Sequence, residues 1–177
     1  MLSPLRSPIE DLITLLKINW RFIMRHPAYF LAFGMGIGLL PKAPGTIGSL
    51  CVIPFVWLWY DLNGSMTGLT ILCGLFFIVG TWCCQVTGRA IGVSDYAGLV
   101  IDEMVAMSIL LIALPYSWRW WSIGFILFRW IDIQKPWPIN WVDRTYKNGF
   151  GVMLDDLLAV GYVLIIYHGI KMSFLLK

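Results

Sequence analysis

Residues 67–86 form a run of twenty residues without a charged side chain. An α-helix rises ~1.5 Å per residue, so this run is long enough to cross the ~30 Å hydrocarbon core of a bilayer. The composition agrees, because 59% of the chain is hydrophobic and only 13% is charged, whereas soluble domains have about a quarter charged residues. We therefore expect an all-α, multi-pass membrane helical bundle.

Other apolar runs are shorter than a spanning helix ordinarily needs to be. They comprise residues 47–60, 104–117, 120–128 and 157–170. A 14-residue helix is only ~21 Å long. We expect such short helices to extend through flanking residues, to thin the bilayer or to cross only part of it.

The N-terminal segment has a different pattern. Apolar side chains in residues 9–25 recur at helical spacing on one face, which predicts an amphipathic helix lying on the membrane or docked on the bundle. We therefore divide the chain into an interfacial segment, 1–27, and a membrane-embedded domain, 28–177. Basic residues in the first segment predict that the N-terminus is cytoplasmic.

Seven of the ten acidic residues are grouped in the second half of the chain. They are Asp95, Asp102, Glu103, Asp132, Asp143, Asp155 and Asp156. With the N-terminus inside, alternating helices place the connections 87–103 and 129–156 on the cytoplasmic side. Because a carboxylate is costly to bury unless it is paired or binds a metal, this convergence predicts a single site at the cytoplasmic membrane surface.

Two acidic pairs are candidate ligands for a divalent cation. If residues 95–102 are helical, Asp95 and Asp102 share a face, and Glu103 lies ~100° around the helix from Asp102. The pair Asp155–Asp156 opens the last apolar run, where a helix N-terminus favours negative charge. Each pair alone fits a helix cap about equally well. Both pairs on one side favour a Mg²⁺ site, since carboxylate oxygens suit that ion.

A basic segment lies between these pairs. Arg129, Asp132 and Lys135 step by three along one predicted helical face, and Pro136 and Pro138 then end the helix. Arg129 and Lys135 are candidate phosphate ligands that Asp132 orients. An interfacial helix with snorkelling, salt-bridged side chains explains the same spacing equally well.

Residues 34–49 contain five glycines and two prolines, which cannot sustain a regular helix. The segment fits a phosphate-cradling loop that opens a helix near Thr46. Taken alone, it fits a tight turn packed between helices better.

Several classes of function are disfavoured. The net charge of +3, without a basic stripe, argues against nucleic-acid binding. The four cysteines lie in apolar runs and, like the isolated His26 and His168, lack zinc-site spacing. The Cys83 to Arg89 spacing matches cysteine phosphatases but lacks their strand–loop–helix cradle.

Four motifs together resemble the phosphatidylglycerophosphatase A family. They are the segments 38–49, 100–103, 128–139 and 151–156, within a match that runs in order from about residue 34 to 162. The resemblance implies an all-helical, Mg²⁺-dependent lipid phosphatase of the bacterial inner membrane. Such an enzyme removes the terminal phosphate of phosphatidylglycerophosphate to give phosphatidylglycerol.

The resemblance and the charge pattern together assign expected roles. The expected Mg²⁺ ligands are Asp102, Glu103, Asp155 and Asp156. The expected catalytic residues are Asp95, Glu103 and Asp132, of which Asp95 or Glu103 positions or deprotonates the attacking water. The expected phosphate-binding residues are Thr46, Arg129 and Lys135.

Three alternatives remain open from the sequence. An ion-coupled transporter also uses membrane carboxylates, although near the bilayer midplane. A phosphatase for another lipid phosphate has the same residue types, and a non-enzymatic scaffold needs no reactive group. A CDP-alcohol transferase is disfavoured because its spaced Asp-Gly-Ala-Arg motif is absent.

Overall fold

The computed structural model describes residues 18–175, and no strand occurs in this range. The predicted all-α class is therefore confirmed for these residues. The helices are α1 Trp20–Ile23, α2 Pro27–Ala32, α3 Pro44–Asp61, α4 Met66–Ile91, α5 Ile101–Ala113, α6 Trp118–Gln134, α7 Ile139–Thr145 and α8 Gly149–Leu175. Two 3₁₀ turns over Gly34–Leu39 join α2 to the loop before α3.

Helix α5 lies at the centre of the molecule. Its residues Met107, Leu110 and Leu111 are fully buried in a cluster formed with α3, α4, α6, α7 and α8. Two other α5 residues, Ile101 and Val105, belong to a second cluster formed with α1, α2, α4 and α8. The first turn of α5 is therefore held from several sides, and Asp102 and Glu103 lie in that turn.

Within residues 18–175, two helices, Met66–Ile91 and Gly149–Ser173, are long and apolar enough to cross a membrane by length and composition. One face of α4 exposes the apolar side chains of Ile71, Leu75, Ile78 and Trp82. These residues recur at helical spacing, and such an uncovered apolar face is suited to lipid. The predicted run 67–86 lies inside α4. The multi-pass arrangement itself stays a proposal.

The predicted amphipathic helix over 9–25 falls mainly on residues outside the described range. Within that range, Asn19 is not helical, and its side chain accepts a hydrogen bond from the Phe22 amide to cap α1. His26 caps α2 in the same way through the Ala28 amide. Residues 18–25 therefore contain one short helix followed by a break. The prediction of a continuous helix through residue 25 is wrong for the described residues. The division at residue 27 stays a prediction.

Candidate active site

The acidic residues that the sequence grouped come together at one place. They lie in the loop before α5, at the start of α5, at the end of α6, in α7 and near the second turn of α8. Asp102, Asp155 and Asp156 are only 7%, 5% and 3% exposed. The charges of Asp102 and Glu103 both act on Asp156, which places the two predicted acidic pairs in one cluster.

Arg129, on α6, contacts two carboxylates, Glu103 on α5 and Asp132 on its own helix. Its Nη1 atom donates to Glu103 Oε1 at 2.9 Å and lies 2.9 Å from Asp132 Oδ2. Its Nε atom is buried and has no hydrogen-bond partner among the described residues. The guanidinium is thus oriented by protein carboxylates and retains a donor for a ligand.

Lys135 forms a second ionic cluster with three carboxylates. Its Nζ atom lies 2.6 Å from Asp155 Oδ2, 3.3 Å from Asp143 Oδ1 and 3.7 Å from Asp95 Oδ2. One oxygen of each of these three carboxylates lies within 4.8 Å of the others. The ammonium group therefore takes the position that a cation would occupy among them. Burial alone would lower the pKa of Lys135, but the three negative charges raise it.

The lysine is placed there by the end of α6. The helix stops at Gln134, before Pro136 and Pro138, as the sequence predicted, and Lys135 itself has a left-handed conformation with φ 42°.

Asp143, in α7, completes the cluster, although the sequence pattern assigned it no role in the site. Asp143 also pairs at 3.4 Å with Lys147, which lies just beyond the end of α7.

Three carboxylate oxygens in the site are buried and have no hydrogen-bond partner among the described residues. They are Asp102 Oδ1, Glu103 Oε2 and Asp156 Oδ2. Leaving such oxygens uncompensated is costly, and oxygen ligands from one or two carboxylates suit Mg²⁺. The donor set therefore fits the ion that the resemblance implies.

Asp155 differs from these three residues. Its Oδ2 atom accepts from Lys135, and its Oδ1 atom accepts from the Asp156 amide at 3.0 Å. Both oxygens are thus already used within the protein. In this structure Asp155 holds Lys135, and its role as a metal ligand stays a prediction.

The two acidic groups at the start of α5 have altered acidity. Burial raises the pKa of Glu103 to about 7, although the charge of Arg129 opposes the shift. Burial and the neighbouring charge of Glu103 raise the pKa of Asp102 well above its usual range. A carboxyl group that titrates near neutral pH can accept a proton from water during catalysis.

The amino end of α3 meets the Glu103 carboxylate. A Cβ atom built on Gly45 would lie 1.6 Å from Glu103 Oε1, so only glycine permits this approach. Gly45 and Thr46 follow Pro44 in the first turn of α3, where backbone N–H groups have no partner within the helix. The glycine-rich segment therefore does open a helix beside the site. It also packs tightly, since a Cβ on Gly38 would lie 1.9 Å from the Gly98 carbonyl oxygen.

Two sequence-based predictions about local geometry are wrong. Asp95 does not share a helical face with Asp102, because α4 ends at Ile91 and α5 begins only at Ile101. Asp155 and Asp156 do not open the last helix, because α8 begins at Gly149. The favourable effect of a helix N-terminus fades within the first turn, so it does not explain the Asp155–Asp156 pair.

Comparisons with known proteins identify the family to which this chain is similar. The family model described as Phosphatidylglycerophosphatase A matches residues 30–171. Phosphatidylglycerophosphatase A from Escherichia coli (strain K12) is 42% identical over 140 residues, covering 78% of this chain and 80% of that protein. The Haemophilus influenzae protein of the same name is 42% identical over 147 residues, covering 82% of this chain and 90% of its own.

A third relative has a different name. It is a putative phosphatidylinositol-3-phosphatase from Bacteroides thetaiotaomicron, 35% identical over 153 residues, covering 81% of this chain and 94% of its own. No solved structure matches the chain. The family model spans most of the sequence and includes every residue of the carboxylate cluster, so this chain belongs to the phosphatidylglycerophosphatase A family.

Proposed function

We propose that this protein hydrolyses the terminal phosphate of phosphatidylglycerophosphate, with Mg²⁺, to give phosphatidylglycerol and inorganic phosphate. Family membership supports the reaction. The observation that carries the proposal is the set of three buried carboxylate oxygens that have no hydrogen-bond partner in the described part of the chain. One of these carboxylates, Glu103, contacts both Arg129 and the amino end of α3. Such an arrangement combines ligands for a cation with donors for a phosphate.

Asp102 and Asp156 are the residues that would hold the ion, through the two unpartnered oxygens Oδ1 and Oδ2. When bound, Mg²⁺ supplies positive charge that offsets the charge on the phosphate oxygens. The burial of both carboxylates excludes bulk water and strengthens every electrostatic interaction in the site.

Arg129 and the first turn of α3 would bind the phosphate. The unpartnered Arg129 Nε donates to one phosphate oxygen, while Glu103 and Asp132 keep the guanidinium oriented. Backbone N–H groups of Gly45 and Thr46 donate to another. Lys135, which the sequence also suggested as a phosphate ligand, instead balances the charge of Asp95, Asp143 and Asp155 and so holds α6 against α8.

Glu103 would act as the general base. Its Oε1 atom is held by Arg129, whereas its buried Oε2 atom is free to accept a proton from the attacking water. A pKa of about 7 leaves a large fraction of this carboxyl ionised at neutral pH while giving it useful basicity. Asp95 is a weaker candidate, because its carboxylate is more exposed and faces Lys135.

The membrane setting is also part of the proposal. The exposed apolar face of α4 and the length of α8 support insertion in a bilayer. We place the site on the cytoplasmic side of the bacterial inner membrane, because the basic N-terminal segment favours that orientation.

A phosphatase for another lipid phosphate is the second candidate. The Bacteroides relative, which is named as a phosphatidylinositol-3-phosphatase, favours it. Both candidates use the same carboxylates and differ in what surrounds the rest of the headgroup.

The decisive experiment measures inorganic phosphate released by purified protein from phosphatidylglycerophosphate, phosphatidylinositol 3-phosphate and phosphatidic acid. We expect release from the first, loss with EDTA and recovery with added Mg²⁺. Asp102→Asn should abolish release, whereas Asp61→Asn, at the distant end of α3, should not. Release that survives both chelation and Glu103→Gln contradicts the mechanism. Ion flux into liposomes without phosphate release would instead indicate a transporter.

A further inference from the structure

We propose that an apolar groove between α3, α4 and α5 holds an acyl chain of the lipid substrate. This inference rests on the proposed function and adds to it the place where the lipid tail binds. The groove has a volume of about 450 Å³ and is lined by residues of these helices and of the segment around Gly34.

The groove lies beside the carboxylate site along one face of α3. Gly45, Gly48 and Val52 follow each other at helical spacing. Gly45 meets the Glu103 carboxylate, and a Cβ on Gly48 would lie 3.5 Å from Met104 Cγ. Val52 and Met104 both line the groove. A phosphate at Glu103 and a tail in the groove are therefore compatible with one molecule.

Helix α5 also connects the groove with the acidic residues of the site. Ile101, Met104 and Val105 line the groove and flank the two acidic residues of the first turn of α5. Ser108 is the last α5 residue in the lining. From Ile101 to Ser108 the helix rises ~10 Å, so the groove leads away from the site over a distance suited to part of an extended hydrocarbon chain.

The chemistry of the lining selects hydrocarbon over a polar ligand. Among the described residues, none of those that line the groove is charged. The two lining side chains with N–H or O–H groups are already paired, since Trp59 Nε1 donates to the Ser65 carbonyl at 3.1 Å and Ser108 Oγ donates to the Met104 carbonyl at 2.8 Å. A polar ligand would lose its water here without gaining a hydrogen bond.

The groove opens sideways between α3 and α4. Phe55 on one helix and Leu72 and Phe76 on the other belong to the lining and are exposed. Helix α4 is a candidate membrane span. A tail that already lies in the bilayer could thus enter the groove without passing through water.

The groove would act mainly by positioning the substrate. A tail that moves from the bilayer into the groove exchanges one apolar environment for another, so the gain in affinity is small. Holding the tail restricts where the phosphate can lie, and misplacement of a reacting group lowers the rate strongly. We therefore expect the groove to affect turnover of long-chain substrate far more than turnover of the isolated headgroup.

The test fills the groove with a larger side chain. Leu72→Trp enlarges a lining residue, and Leu75→Trp is the matched control on the same helix, outside the lining. Against long-chain phosphatidylglycerophosphate, Leu72→Trp should lower kcat/KM about tenfold, and Leu75→Trp should not. Against the water-soluble deacylated headgroup, neither variant should differ from the wild type. Equal effects of both variants on the long-chain lipid, or an equal loss on both substrates, would overturn the proposal.

A labelling experiment gives an answer that does not depend on activity. A substrate analogue with a photoactivatable group in its acyl chain should label Cys73 and Phe76 more strongly than photoactivatable phosphatidylcholine does. Labelling spread evenly over the exposed Ile71, Leu75 and Ile78, with no excess in the groove, would place the tail in bulk lipid. If wild-type protein releases phosphate from neither substrate, the proposed function fails, while the labelling still decides whether the groove takes the tail.

Discussion

Lys135 Nζ lies 2.6 Å from Asp155 Oδ2, and this ion pair joins the end of α6 to the second turn of α8. Asp155 is almost fully buried, whereas Lys135 is reached by solvent on one side. The two residues are separated by twenty positions in the sequence. The charge of the Lys135 ammonium group therefore stabilises the contact between α6 and α8.

Replacing Lys135 with methionine should destabilise the protein. The change leaves Asp155, Asp143 and Asp95 close together without a positive charge, and removing one partner of a buried ion pair costs ~3–5 kcal/mol. Because Lys135 is partly exposed, we expect a smaller loss of about 2 kcal/mol in the free energy of unfolding. Chemical denaturation measures it. Lys147→Met, which removes only the more exposed partner of Asp143, should cost less than about 0.5 kcal/mol. Similar losses in both variants would contradict this account.

Glu103→Gln should make the protein more stable at pH 8 without divalent cations. The pKa of Glu103 in the folded protein is about 7, above the ordinary value of 4.5, so folding favours the uncharged form. Its contribution to stability is full below pH ~4 and is lost as the pH rises through 7. Glutamine keeps the side chain uncharged, so stability should become less dependent on pH between 5 and 8. A thermal melt of both proteins across this range measures the effect, and parallel curves would refute it.

Magnesium should stabilise the wild type, and Asp156→Asn should remove most of that effect. A ligand at one hundred times its dissociation constant adds ~2.7 kcal/mol to the stability of the state that binds it. The Asp156 Oδ2 atom is one of the unpartnered oxygens. Titrating Mg²⁺ while following the melting temperature tests the prediction. Asp143→Asn is the control, because its carboxylate faces Lys135, and it should retain the shift. An unchanged shift in Asp156→Asn would remove this residue from the ligand set.

Gly45→Ala should lower kcat by about a hundredfold while the protein remains folded. The added methyl group would overlap Glu103 Oε1 and displace the carboxylate from Arg129, and small displacements of catalytic groups have effects of this size. Gly74→Ala on α4 has open space around it and should leave activity unchanged. Circular dichroism establishes folding, and a phosphate-release assay measures kcat. Full activity in Gly45→Ala would contradict the geometry.

Arg129→Lys should lower kcat/KM by about a hundredfold despite keeping the charge. An ammonium group cannot donate in the planar arrangement that joins Glu103, Asp132 and a phosphate oxygen at once. Steady-state phosphate release provides the measurement. Arg119→Lys, in the first turn of α6 and far from the site along that helix, is the control. Equal activity of the two variants would show that Arg129 acts through charge alone.

The sequence predicted the helices better than their ends. Uncharged runs identify buried or lipid-facing helices because polar groups are excluded there, and residues 67–86 do lie inside α4. The start of α8 was missed because Gly149 and Gly151 are poor helix formers. Packing overrides that preference, since the Gly149 amide donates to Gln85 Oε1 and its Cα lies against the backbone of α4.

Within the site, the sequence indicated which acidic residues meet but not how they are paired. The contact between Glu103 and Arg129 spans 26 positions, so no local pattern predicts it. The same holds for Lys135, whose spacing from Arg129 suggested one shared face. In the structure the helix ends between them, and the lysine turns toward α7 and α8.

The position of Asp156 within α8 has a further consequence. It lies seven residues beyond the helix start, or ~10 Å along the axis, so in the proposed mechanism the reacting ester enters between neighbouring helices to reach it. Selectivity among headgroups would then be set by the residues that border this passage. The buried acidic residues would not distinguish one released alcohol from another. Relatives carrying the same acids could thus have diverged in preference by altering the rim alone.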